Sequence, residues 1–136
     1  MTICIIPARK GSKRIVKKNI AIFNGKPLIY YAINLAKKSN IFSRIIVSTD
    51  SLEIAKIARK YGAEVPFLRS KKLSNDYVTS TEAVIDSIKK INSEDETYHC
   101  CIYPTAILAQ KKDLISGYKK IKKTKADYLI AVTNYD

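Results

Sequence analysis

From residue 8 to residue 19 the chain reads Ala-Arg-Lys-Gly-Ser-Lys-Arg-Ile-Val-Lys-Lys-Asn. Six cations, Arg9, Lys10, Lys13, Arg14, Lys17 and Lys18, surround one glycine and one serine. Such a loop can wrap a polyphosphate, because backbone N–H groups and cationic side chains share its negative charge. A solvated basic loop is the other reading of the same residues. The segment is not a Walker A loop: Gly25-Lys26 is followed by Pro27 where that motif needs Ser or Thr. Nor is it a dinucleotide fingerprint, since Gly11 stands alone where three glycines are required. No Ser-His-Asp or Cys-His arrangement is supported. The one histidine, His99, borders an apolar run and reads as structural. Asp50 reads as a helix cap rather than a metal ligand, and Asp76 as a residue that orders its own loop.

The basic loop must be held by the elements around it. Residues 2–7 are apolar, rich in β-branched side chains and stopped by Pro7, which predicts a buried strand. A short extended piece is expected over 20–23, then a turn at Asn24-Gly25. Pro27 suits the first position of a helix that runs to Ser39, with Lys37 and Lys38 in its last turn and Asn40 ending it. Residues 44–48 predict a second strand. Ser51 caps a following helix that stops at Gly62, and 64–68 predict a third strand. Thr79-Ser80-Thr81-Glu82 has capping-box spacing and opens another helix. Residues 99–103 predict a fourth strand, 113–123 a fourth helix and 127–133 a fifth strand. Strands alternating with helices throughout predict parallel βαβ units in a three-layer α/β/α sandwich. Ligands of such sheets bind beyond the strands' carboxyl ends. The loops after Pro7, Leu68 and Tyr103 occupy those positions.

The 136 residues make one domain, long enough to bury a core without disulfides. Cys4, Cys100 and Cys101 are an odd number with one adjacent pair, which is neither a disulfide framework nor a zinc knuckle. They read as small core side chains. No apolar stretch is long enough to cross a bilayer, and the N-terminus is apolar before it is basic, the reverse of a signal peptide. A cytoplasmic protein with no membrane partner is expected. The formal charge of +13 favours anionic partners, although pairs such as Lys37-Lys38 and Lys119-Lys120 fall on predicted helix faces.

The order IIPARKGSKRIVKKNI, GKPLIYYAI, IIVSTDSLEIAKIARKYGAEVPFLR, LSNDYVTSTEAV and CCIYPTAIL closely resembles the acylneuraminate cytidylyltransferase family, the enzymes that make CMP-activated sialic and pseudaminic acids. The resemblance covers nearly the whole chain. The signature A-R-x-x-S-K-x-x-x-x-K-N is present as Ala8-Arg9-Lys10-Gly11-Ser12-Lys13 and then Lys18-Asn19. The CCIY segment leans slightly towards the pseudaminic acid branch. The resemblance implies a Rossmann-like nucleotidyltransferase fold with a mainly parallel sheet, similar to nucleotide-diphospho-sugar transferases. It also implies that residues 1–136 form a single nucleotide-binding domain, C-terminally truncated relative to the family.

What the resemblance implies for single residues follows the matching positions. Ala8 and Arg9 are expected to meet the cytosine and phosphates of CTP, Ser12 and Lys13 to grip phosphate, and Asn19 to contact the nucleotide. Lys18 is expected to stabilise charge on the α-phosphate, which makes Arg9 and Lys18 the expected catalytic pair. Arg69 resembles the arginine that reads the cytosine and ribose side. Thr79 and Ser80 match a loop that closes on the nucleotide. Tyr103, Pro104 and Thr105 replace a segment, often Q-P-T, that flanks base and ribose; Ala106-Ile107 follows where the family has proline. The implied partners are CTP and a nonulosonic acid, and the implied assembly is a homodimer. The implied cofactor is Mg²⁺, whose aspartate ligands are absent from this chain. Three readings remain: a cytidylyltransferase for surface-glycan precursors, a CTP-binding module needing a separate half, and a basic nucleic-acid binder supported by charge alone and lacking aromatic stacking clusters.

Overall fold

The computed structural model describes residues 2–12, 14–93, 95 and 98–133. Its centre is a parallel sheet of β1 (Thr2–Pro7), β4 (Arg44–Ser48) and β5 (Tyr98–Cys101) in the order β4-β1-β5. β1 pairs with β4 from Ile3↔Arg44 to Pro7↔Ser48, and with β5 from Thr2↔Tyr98 to Ile5↔Cys101. Alternation along β1 divides its side chains between two cores. Cys4 and Ile6 meet α1 (Leu28–Ser39) and α2 (Leu52–Lys60) through Ile29, Ile33, Ile54 and Ala58. Ile3 and Ile5, with Ile46 of β4, meet Val84, Ile88 and Ile91 at α3 (Ser80–Lys90). α4 (Lys111–Thr124) packs beside α1, with Leu114 partly buried against the first core. Helices therefore cover both faces, which is the expected three-layer architecture.

Several local signals act as expected. Ser51 Oγ accepts the Ile54 N–H at 3.3 Å at the start of α2. At α3 the Thr79 Oγ1 accepts from the Glu82 N–H at 3.2 Å while the Glu82 carboxylate accepts from the Thr79 N–H at 2.7 Å. Asn40 ends α1 with φ of 55°. Asn24 and Gly25, with φ of 46° and 75°, form the two-residue turn of a small antiparallel hairpin, β2 (Ile22–Phe23) with β3 (Lys26–Pro27). Pro27 sits one residue earlier than expected, as the extended residue before α1 rather than within it.

Three expectations need correction. The third strand, 64–68, makes only isolated parallel bridges to β4, Ile46↔Glu64 and Thr49↔Leu68. Glu64 exchanges both backbone bonds with β4, at 2.8 Å each. Pro66 is the next residue on the same side and has no N–H to donate, so the ladder stops. The fourth strand begins at Tyr98 and ends at Cys101, short of Tyr103. The fifth strand, 127–133, does not form. Tyr128, Ile130 and Val132 are 78–85% exposed, and no strand among the described residues lies beside them to supply a ladder. The cysteines divide as well: Cys4 is buried, Cys100 half-buried and Cys101 exposed.

Candidate nucleotide-binding site

The carboxyl ends of β1, β4 and β5 open into a cleft of about 520 Å³. Three loops and the start of α3 form its walls. From the first loop come Arg9, Ser12, Arg14, Lys18 and Asn19. Arg69 contributes from the segment after β4's edge partner, Thr79 and Ser80 from the N-terminus of α3, and Tyr103, Pro104 and Thr105 from the loop after β5. Ala8 lies beneath, fully buried, and its N–H donates to the Ser48 carbonyl at 2.9 Å. Lys13 lies outside the described residues. Segments far apart in sequence thus meet at one rim because parallel strands end together there.

The first loop is pinned by its backbone. The Asn19 amide donates to the Arg9 carbonyl at 2.9 Å, so this buried asparagine positions the loop as well as lining the cleft. The Asp50 carboxylate accepts the Lys10 N–H at 2.7 Å. Asp50 therefore anchors the basic loop; Ser51, not Asp50, caps α2. Farther along, Lys17 reaches Glu53 at 2.9 Å, tying the loop to α2. Lys18 is half-buried and opens a single 3₁₀ turn, Lys18–Ile20.

Arg69 forms part of the floor and is 6% exposed. Its Nε donates to Ser48 Oγ at 3.2 Å and its Nη2 to the Ser48 carbonyl. Burial pushes the guanidinium below its ordinary value, opposed by the charges of Asp50 and Asp86. Arginine's intrinsic basicity is high enough that it stays a cation. Two of its nitrogens are committed to Ser48, so it is a fixed charge rather than a searching one.

The loop 70–79 closes the opposite side. Asn75 orders it locally: its Oδ1 accepts from the Tyr77 and Val78 N–H groups at 2.9 and 3.2 Å. Asp76 reaches across the mouth to Arg9, with Oδ1 at 2.7 Å from Nη1. The sequence alone points to a role at the cleft for neither Asp50 nor Asp76. The available signal was position, since both follow segments that end at the sheet's carboxyl rim. Their partners lie 40 and 67 residues away and could not be read locally. His99 keeps the expected structural role, with Nε2 at 3.0 Å from Ser93 Oγ.

In chemical terms, the cleft presents Arg9, Arg14, Lys18 and Arg69 with one lining carboxylate, Asp76. The N-terminus of α3 adds the positive end of a helix dipole. A ligand carrying several negative charges fits this balance. The family model for cytidylyltransferases matches residues 3–136. The chain belongs to the cytidylyltransferase family. It is 47% identical over 136 residues to the pseudaminic acid cytidylyltransferase of Campylobacter jejuni serotype O:23/36, a match covering 98% of this chain and 59% of that protein. It is 45% identical over 93 residues to the CMP-N,N'-diacetyllegionaminic acid synthase of Legionella pneumophila, covering 68% of this chain and 40% of that one. The fold is similar to that of CMP:2-keto-3-deoxy-manno-octonic acid synthetase, a structure complexed with CTP. That match has a TM-score of 0.78 at 18% identity and covers 92% of this chain and 48% of that one. The chain therefore spans about two-fifths to three-fifths of the length of these relatives.

Proposed function

We propose that this chain carries the CTP-binding part of a cytidylyltransferase that transfers CMP to a nonulosonic acid of the pseudaminic or sialic type, releasing pyrophosphate, for surface-glycan biosynthesis. The observation that carries the reading is the cleft itself: four cations and a helix N-terminus converge where parallel strands end. In the reaction the sugar's anomeric hydroxyl attacks the α-phosphorus of CTP. A new P–O bond forms to the sugar, the bond from the α-phosphorus to the bridging oxygen breaks so that pyrophosphate leaves, and the hydroxyl proton passes to solvent water. Arg9 and Lys18 are the catalytic pair in this reading. A fork and a point charge aimed at the phosphate oxygens lower the barrier as charge shifts between α- and β-phosphates. Ser12, Lys13 and Asn19 hold the triphosphate side, Arg69 the cytosine and ribose side, and Thr79 and Ser80 close over the nucleotide. Ala8 and the Tyr103-Pro104-Thr105 segment border a slot sized for a pyrimidine.

The family implies Mg²⁺. Among the described residues, no three carboxylate, histidine or cysteine groups gather into a metal site. The one carboxylate lining the cleft, Asp76, is engaged by Arg9. The residues described do not fit a resident Mg²⁺. The reading also includes a homodimer working in the cytoplasm. No helix among the described residues is long and apolar enough to cross a membrane.

A second reading is a chain that binds CTP without turning it over until the remaining part of the family fold is supplied. The open side of the sheet supports it: 127–133 has no strand partner and exposes Tyr128, Ile130 and Val132. Two measurements separate the readings. Calorimetry with CTP against ATP is expected to show preference for CTP, and absent or equal binding would defeat both. Pyrophosphate release with CTP and pseudaminic acid is expected under the first reading and not under the second.

A further inference from the structure

The bond between Arg9 and Asp76 is out of keeping with the rest of the cleft. Elsewhere each cation either faces the opening or is held by neutral groups, as Ser48 holds Arg69. Among the described lining cations, Arg9 is the one held by an ion pair, and that pair runs across the mouth, joining two walls 67 residues apart in sequence. Both side chains are about one-third exposed, at 32% and 36%. An ion pair so placed is weak and easily exchanged. The backbone behind Arg9 is not free to move in the same way, because Asn19 holds its carbonyl and Asp50 holds the next N–H. The exchangeable part of this arrangement is therefore the contact between the Arg9 guanidinium and the Asp76 carboxylate. The loop that carries Asp76 lies between a short 3₁₀ turn, Lys71–Leu73, and the capping box of α3.

We propose that Asp76 is a displaceable counter-ion that sets the cleft's preference for polyphosphate. In the empty cleft Asp76 keeps the Arg9 guanidinium extended across the mouth, neutralised and correctly placed. A ligand's phosphate oxygens take the same fork of N–H donors, and the Asp76 carboxylate is displaced. The exchange costs the ligand the ion pair and the repulsion of a nearby carboxylate. Only a group that binds the guanidinium with two charged oxygens recovers that cost. A nucleoside that does not reach Arg9 neither opens the contact nor is opposed by it. Asp76 thereby acts as a specificity-determining residue through Arg9, without itself touching the phosphorus. This proposal rests on the CTP reading for its natural ligand. Its physical content, exchange of one anion for another on Arg9, does not.

The test is a double-mutant cycle on the full chain, read by calorimetry with CTP, cytidine and inorganic tripolyphosphate. Asp76→Asn keeps the size and hydrogen-bonding capacity of the side chain and removes its charge. It is expected to tighten CTP and tripolyphosphate binding about three- to fivefold, the upper part of the range for an exposed ion pair, and to leave cytidine unchanged. In an Arg9→Met background the same substitution is expected to tighten binding clearly less than it does in the parent chain, because the Arg9–Asp76 pair is already gone. Weaker CTP binding in Asp76→Asn would overturn the proposal and make Asp76 a ligand contact or a structural strut. Equal tightening with and without Arg9 would overturn it in favour of a through-space field. If tripolyphosphate follows the expected cycle but CTP does not bind, the exchange stands and the CTP reading falls. If neither anion binds the parent chain, both fall. Thermal unfolding of each variant, expected within a few degrees of the parent, confirms that the cycle compares folded proteins.

Discussion

On the β4–β1 side of the sheet, Ile5, Ile6, Ile46 and Val47 are fully buried, helices cover both faces, and the rim residues are tied to backbone groups. On the β5 side, the strand's own residues are half-buried to exposed, α4 contributes no fully buried side chain, and Leu129 rests on Gly117 while its neighbours face solvent. Both sides reach the same cleft. Among the described residues, the packed side supplies the lining cations Arg9, Arg14, Lys18 and Arg69; the open side supplies the Tyr103-Pro104-Thr105 wall. Charges meant to meet a polyanion need fixed positions, because electrostatic stabilisation depends on groups that do not have to reorganise when the charge arrives. The wall on the β5 side has less beneath it to hold it in place.

The largest expected effect probes packing directly. Ile46→Ala is expected to cost about 2–5 kcal/mol in denaturant unfolding, the range for a buried large-to-small change. Leu114→Ala, at a partly buried site on α4, is expected to cost less than half of whatever Ile46→Ala costs. Equal losses would break the comparison. Next in size is ligand binding: Arg9→Ala and Lys18→Ala are each expected to weaken CTP binding about tenfold or more, as loss of a charge-assisted hydrogen bond does. Tyr103→Ala, on the open side, is expected to change it only a few-fold by the same calorimetry.

Smaller effects sharpen the contrast. Asp50→Ala removes one backbone anchor of the basic loop and is expected to weaken CTP binding about three- to tenfold, with little change in unfolding midpoint. At the start of α3, hydrogen bonds from the Thr79 backbone and hydroxyl hold the Glu82 carboxyl below the usual glutamate range. A depressed folded pKa means that the stabilisation is complete above the unfolded value and is lost as pH falls through the folded one. The stability gap between the parent chain and Glu82→Gln is therefore expected at neutral pH and should close in acid; a gap that widens in acid would reverse the assignment. Smallest of all, Ile130→Ser and Val132→Ser are expected to shift stability by no more than about 0.5 kcal/mol, because both side chains are already in water. A larger loss would show that 127–133 is buried in solution.

What lay within reach of the sequence was whatever a few neighbouring residues decide. The apolar, β-branched run of β1, the Thr79–Glu82 box, the Ser51 cap and the Asn24-Gly25 turn each act over six residues or fewer, and each is present in the fold. The resemblance to cytidylyltransferases rests likewise on contiguous segments. Three-dimensional packing alone decided the partners of Asp50, Asp76 and Arg69, which lie 40, 67 and 21 residues away. It also decided that 127–133, apolar and β-branched as it is, remains without a ladder. A helix satisfies its own backbone groups within one turn, whereas a strand or an ion pair exists only when a distant segment arrives to complete it.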